Sequence, residues 1–98
     1  MKWQSIKQSL EGKLQGESVL SLGRIKGIRK HKNRIFADLT DYSGDVQLVV
    51  EKSKHPSEYA LLCKTNKGSY ISAGGTYEND LRGNPEINVG NLEVIAEA

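Results

Sequence analysis

From Ser18 to Ile28 the chain reads S-V-L-S-L-G-R-I-K-G-I, with apolar and polar positions alternating at period two, the pattern of a strand with one buried face. Gly23 and Gly27 interrupt that alternation and predict a bend or bulge where the strand curves. The alternation resumes in R-I-F-A-D-L-T-D from Arg34, and Asp41-Tyr42-Ser43-Gly44 turns it into D-V-Q-L-V-V-E as a hairpin. Upstream, Trp3, Ile6, Leu10 and Leu14 recur at spacings of three and four, which predicts a short helix over about Ser5 to Lys13, with Trp3 pinning it to the sheet. His55-Pro56-Ser57 ends the third strand and starts a second helix, in which Tyr59, Leu62 and Cys63 repeat at helical spacing to roughly Thr65. Two more strands follow, G-S-Y-I-S-A-G-G-T-Y and E-I-N-V-G-N-L-E-V-I, joined by N-D-L-R-G-N-P.

Five strands, a leading helix and a second helix between strands 3 and 4 give an all-β expectation: a five-stranded OB-fold Greek-key barrel. The 98 residues suffice for one core, and no repeat or linker divides them, so residues 1–98 are read as a single domain. The phase of the strands then sorts the side chains. With Ile35, Ala37 and Leu39 facing the core, Phe36 and Asp38 point outward; with Val46 and Leu48 inward, Gln47 shares that outer face. An exposed phenylalanine on such a sheet is a platform on which an unpaired base can stack. The opposite phase would bury Phe36 but expose Ile35 and Leu39.

Charge adds a location rather than a total. The formal balance is only +2, yet Arg24, Lys26, Arg29, Lys30, Lys32 and Arg34 fall together with His31 and no acid among them, and Asp38, Asp41, Asp45 and Glu51 follow. A local basic stripe on a weakly charged chain predicts positioned phosphate contacts. Cys63 is the sole cysteine, which excludes an intramolecular disulfide, and no Cys/His spacing suits zinc; no cofactor is expected. With neither the apolar core of a signal peptide nor a membrane-length apolar run, the expectation is a cytoplasmic protein with no membrane partner.

Catalytic patterns are missing as well. His31 and His55 lie in lysine-rich loops without a nucleophile motif, Asp38 and Asp41 sit three apart on a strand and face opposite sides, and no phosphate-cradling glycine loop occurs. The chain is expected to bind and not to catalyse.

The ordered set Gly23, Arg29, Phe36, Asp38, Leu39, Asp41, Gly44, Gln47, Val49 and Val50, followed by S-A-G-G-T-Y and N-L-E-V-I-A-E-A, resembles the anticodon-binding OB domain of class IIb aminoacyl-tRNA synthetases of the aspartyl, lysyl and asparaginyl type. The resemblance spans nearly the whole chain. It implies tRNA anticodon-loop binding, with Phe36 stacking on the central uridine, Gln47 hydrogen-bonding a base edge and Arg29 directed at the same loop. It also makes the chain part of an aminoacyl-tRNA ligase if a catalytic domain follows. Thr40 stands where the aspartyl pattern has arginine, and Arg24 where tryptophan is frequent, so the amino acid stays open.

Two loops join the candidate surface. His31, Lys32, Asn33 and Arg34 form the first hairpin loop, read either as a backbone grip or as a solvated turn. Arg82, with Asn79 and Asn84, lies in the connection from Glu78 to Glu86 that reaches flanking anticodon bases in the family, although Asn, Gly and Pro also simply make turns. Tyr42, Tyr70 and Tyr77 are additional stacking surface without an assigned role. The alternative functions are a general single-stranded nucleic-acid binder, which keeps the stacking face without base selection, and a protein-interaction module.

Overall fold

The computed structural model describes residues 5–98; the expected anchoring by Trp3 lies outside them. Ser5 opens helix α1 (Ile6–Leu10) with a capping box: its Oγ accepts from Gln8 N–H, and Gln8 Oε1 accepts from Ser5 N–H. The helix stops before Lys13, because Glu11 is extended and Gly12 takes φ of +72°, and Leu14 is 70% exposed instead of continuing the apolar stripe. Five strands follow: β1 (Ser18–His31), β2 (Arg34–Asp41), β3 (Gly44–Glu51), β4 (Tyr70–Asn79) and β5 (Pro85–Ala96), with α2 (Pro56–Lys64) between β3 and β4. They close in the order β1-β2-β3-β5-β4, antiparallel except for β3 against β5.

The alternation predicted for β2 and β3 holds. Ile35, Ala37, Leu39, Val46, Leu48 and Val50 fill the barrel, joined by Ile71, Ile87 and Val89 from the far side, while α2 inserts the fully buried Leu62. A one-residue slip would turn all of these outward, so the register is fixed by burial. Gly27 marks the expected bulge, where the β1–β2 register shifts between Ile25 and Gly27. Gly23 has a different role: a Cβ there would lie 2.6 Å from the Thr40 carbonyl oxygen and 3.1 Å from Ile6 Cδ1, so the glycine admits close approach of β2 and α1.

Helix α1 is held to the barrel by polar groups as well as by the buried Ile6. Ser9 Oγ donates to Ile6 O at 2.7 Å and sits 2.5 Å from Ser21 Oγ. Asp41 accepts from Ile6 N–H at 2.7 Å and from both Ser43 N–H and Oγ. Burial pushes the Asp41 carboxyl up, but the Ser43 hydroxyl and the Ile6 and Ser43 amides outweigh it and hold the carboxyl below its ordinary value of 3.8. A depressed carboxyl stabilises the fold above its unfolded pKa, and that contribution is lost as pH falls through the folded value. Asp41→Asn is therefore expected to cost about 1 kcal/mol at neutral pH. The gap from wild type should close in acid below the ordinary carboxylate range, as read by denaturant melts at several pH values.

Among the described residues, no helix is long and apolar enough to cross a membrane, and no group of three or more His, Cys, Asp or Glu side chains is placed to hold a metal ion.

Candidate nucleic-acid interface

Arg29, Phe36 and Gln47 meet on the outer face of β1, β2 and β3. Arg29 lies directly across from Phe36, and Asp38 from Gln47, in the antiparallel ladders. The parallel β3–β5 ladder then sets Glu86 beside Gln47. Side chains link the row. Arg29 Nη1 donates to Asp38 Oδ2 at 3.2 Å and Nη2 to Gln47 Oε1 at 3.0 Å, while Gln47 Nε2 donates to Glu86 Oε2 at 2.6 Å.

That chain fixes the glutamine amide. A guanidinium only donates and an ionised carboxylate only accepts, so a flipped amide would face two repulsive contacts. One Nε2–H and one Oε1 lone pair remain, a donor and an acceptor side by side, suited to a base edge with the complementary pair. The Arg29 guanidinium carbon lies 5.9 Å from the Phe36 ring centroid, so a π face and a guanidinium group stand together, both of them surfaces on which a base can stack. Phe36 is half-buried, with Val49, 4% exposed and outside the core cluster, opposite it on β3.

Asp38 and Glu86 extend the predicted set. The alternation put Asp38 outward without giving it a function; Glu86 was only the end of a loop, because its partner is 39 positions away.

The basic stripe is more nearly neutralised than its sequence suggests. Lys26 pairs with Asp45, Arg29 with Asp38 and Arg34 with Glu51, using the acids that follow the stripe. The Asp45 carboxyl is held below its ordinary value, chiefly by the hydrogen bond from Thr40 Oγ1 and then by Lys26. Among the described residues, Arg24, Lys30 and Lys32 make no ion pair. The predicted first loop shrinks to Lys32 and Asn33, since His31 and Arg34 form the last pair of the β1–β2 ladder. All four side chains are exposed, and Lys32 takes φ of +56°, a conformation glycine would hold with less strain.

Arg82 lies in the loop between β4 and β5, which closes on itself: Asp80 Oδ1 accepts from the backbone N–H of Arg82 and of Asn84. The turn reading of the Asn79–Asn84 segment thus has a physical basis, and the Arg82 side chain remains exposed above the start of β5.

Residues 19–95 match the model of the tRNA anticodon family, described as an OB-fold nucleic acid binding domain. The chain belongs to this family. It is 34% identical over 88 residues to lysine–tRNA ligase 2 of Methanosarcina mazei, covering 88% of this chain and 17% of that protein. It is likewise 34% identical over 86 residues to the aspartate–tRNA(Asp/Asn) ligase of Gloeobacter violaceus, covering 84% of this chain and 14% of that one. Among solved structures, asparaginyl-tRNA synthetase from Pyrococcus horikoshii, complexed with asparaginyl-adenylate, superposes with a TM-score of 0.85 at 26% identity, over 100% of this chain and 23% of that one. The chain thus spans about a sixth of the length of the curated relatives it matches, and it corresponds to the anticodon-binding OB-fold domain of class IIb synthetases.

Proposed function

We propose that this domain binds a tRNA anticodon loop by stacking one unpaired base on Phe36 while Gln47, oriented by Arg29 and Glu86, reads its edge. The observation that carries this is the hydrogen-bonded row Asp38–Arg29–Gln47–Glu86 beside the Phe36 ring, a stacking surface and a fixed donor–acceptor pair on one face. Lys32 and Lys30, unpaired at the end of β1, supply phosphate contacts, with His31, Asn33 and Arg34 next to them and Arg82 in the loop between β4 and β5. In a longer protein the domain would deliver the tRNA to a ligase active site; by itself it binds without catalysing. The cytoplasm, where tRNA is charged, is the compartment this reading implies.

Filter binding of an anticodon stem-loop at several salt concentrations tests the proposal. Three unpaired cations, Arg24, Lys30 and Lys32, imply a log–log salt slope of roughly −2 for single-stranded contacts. The stem-loop should bind more tightly than a hairpin of the same stem with an unrelated loop. Equal affinity for both hairpins would favour a general single-strand binder, and no binding at low salt would favour a protein-interaction module.

A further inference from the structure

A pocket of about 570 Å³ opens on the outer surface near the β1–β4 pairing and the β2–β3 turn, lined by Ser5, Leu22, Arg24, Thr40, Asp41, Tyr42 and Tyr70. We infer that it is a second nucleotide station, taking another unpaired nucleotide of the strand whose base rests on Phe36. The inference extends the function proposed above and depends on it.

The chemistry of the pocket favours such a ligand. Tyr42 is 93% exposed at the tip of the hairpin, and Leu22 gives an apolar floor at 7% exposure. Arg24 lies with its guanidinium carbon 5.8 Å from the Tyr70 ring centroid and donates to Gly68 O at 3.1 Å, which anchors a cation beside an aromatic face. A base on tyrosine with its phosphate at Arg24 uses both features. Asp41, held by Ile6 and Ser43, keeps its negative charge, so the phosphate is directed to the Arg24 side of the pocket and away from Asp41.

Position links the pocket to the first site. Phe36, Asp38 and Thr40 are successive outward residues of β2, and Thr40 lies opposite Arg24. Four residues of strand span about 13 Å, a distance crossed by roughly two to four nucleotides depending on how far the strand is unstacked. Lys26 stands along that path on β1, paired only with the exposed Asp45.

Fluorescence anisotropy with oligouridylates from dinucleotide to octanucleotide tests the inference on the folded domain. The wild type should gain roughly tenfold in affinity, the size of one added stacked base, once the strand reaches the pocket. Tyr42→Ala, at a solvent-exposed turn and checked by an unchanged melting curve, should abolish that step while leaving the dinucleotide affinity as it was. Arg24→Gln should reduce the step in the same way. Binding that shows no step, or a step that both variants keep, overturns the second station while leaving the Phe36 site standing. Failure of every length to bind, the dinucleotide included, overturns both.

Discussion

Phe36→Ala is expected to weaken binding of an anticodon stem-loop by roughly 5- to 150-fold, the loss of about 1–3 kcal/mol that one base stacked on an aromatic ring contributes. The ring also shelters the outer face of the sheet, since Val49 opposite it is 4% exposed. The variant should therefore lose about 1 kcal/mol of stability, as apolar area returns to water. Binding and unfolding must be measured on the same preparation. Phe36→Leu separates the two effects, because it keeps apolar cover over Val49 but has no π face, and it should lose affinity while keeping most of the stability. Titration calorimetry or filter binding, with a denaturant melt for each variant, reads both quantities. A leucine variant that binds as tightly as the wild type would mean that the side chain is structural and not a stacking platform.

Gly75→Ala is expected to destabilise the domain by roughly 3 kcal/mol or more, through backbone overlap that no rotamer relieves. A Cβ at this position would lie 2.0 Å from Asn88 O, 2.8 Å from Asn88 C and 3.0 Å from Val89 Cα. The β4–β5 register shifts between Gly74 and Gly75, so the two backbones approach closely at a bulge that only glycine permits. Against a total stability of about 5–15 kcal/mol for such a domain, the loss is large. It should lower the melting temperature by at least roughly 12 °C. Gly74→Ala is the control: its nearest neighbour, Leu20 Cδ1, is at 3.6 Å, an ordinary contact. A Gly75→Ala domain melting within a couple of degrees of the Gly74→Ala domain would refute the close-approach argument.

The parts of the molecule legible in the sequence are those set by local periodicity. Ile35, Ala37 and Leu39 alternate with Phe36 and Asp38, and because a one-residue slip would exchange buried for exposed, the outward direction of Phe36 followed from the strand alone. The same holds for Gln47 between Val46 and Leu48. Helix α1 is shorter than the apolar spacing through Leu14 implies, although Gly12 offers the stop and Ser5-Ile6-Lys7-Gln8 carries a readable capping-box signal. Glu86 is not legible in the sequence for a different reason: it meets Gln47 only because the barrel closes through a parallel β3–β5 pairing, and nothing within either strand specifies that partner. The stripe from Arg24 to Arg34 appeared more electropositive than it is, since pairing with Asp38, Asp45 and Glu51 is a matter of cross-strand register and not of composition.

The central claim is that Gln47, held by Arg29 and Glu86, reads the edge of the base that Phe36 stacks. Four anticodon stem-loops identical except for the central anticodon base, titrated against wild type and Gln47→Ala, test it most directly. The uridine-centred loop should bind wild type roughly tenfold more tightly than the others, in keeping with about 1–3 kcal/mol for a good bidentate pair. In Gln47→Ala the four affinities should converge while residual binding through Phe36 persists. Equal affinities of all four loops for the wild type, or a preference that survives the loss of Gln47, would contradict the account.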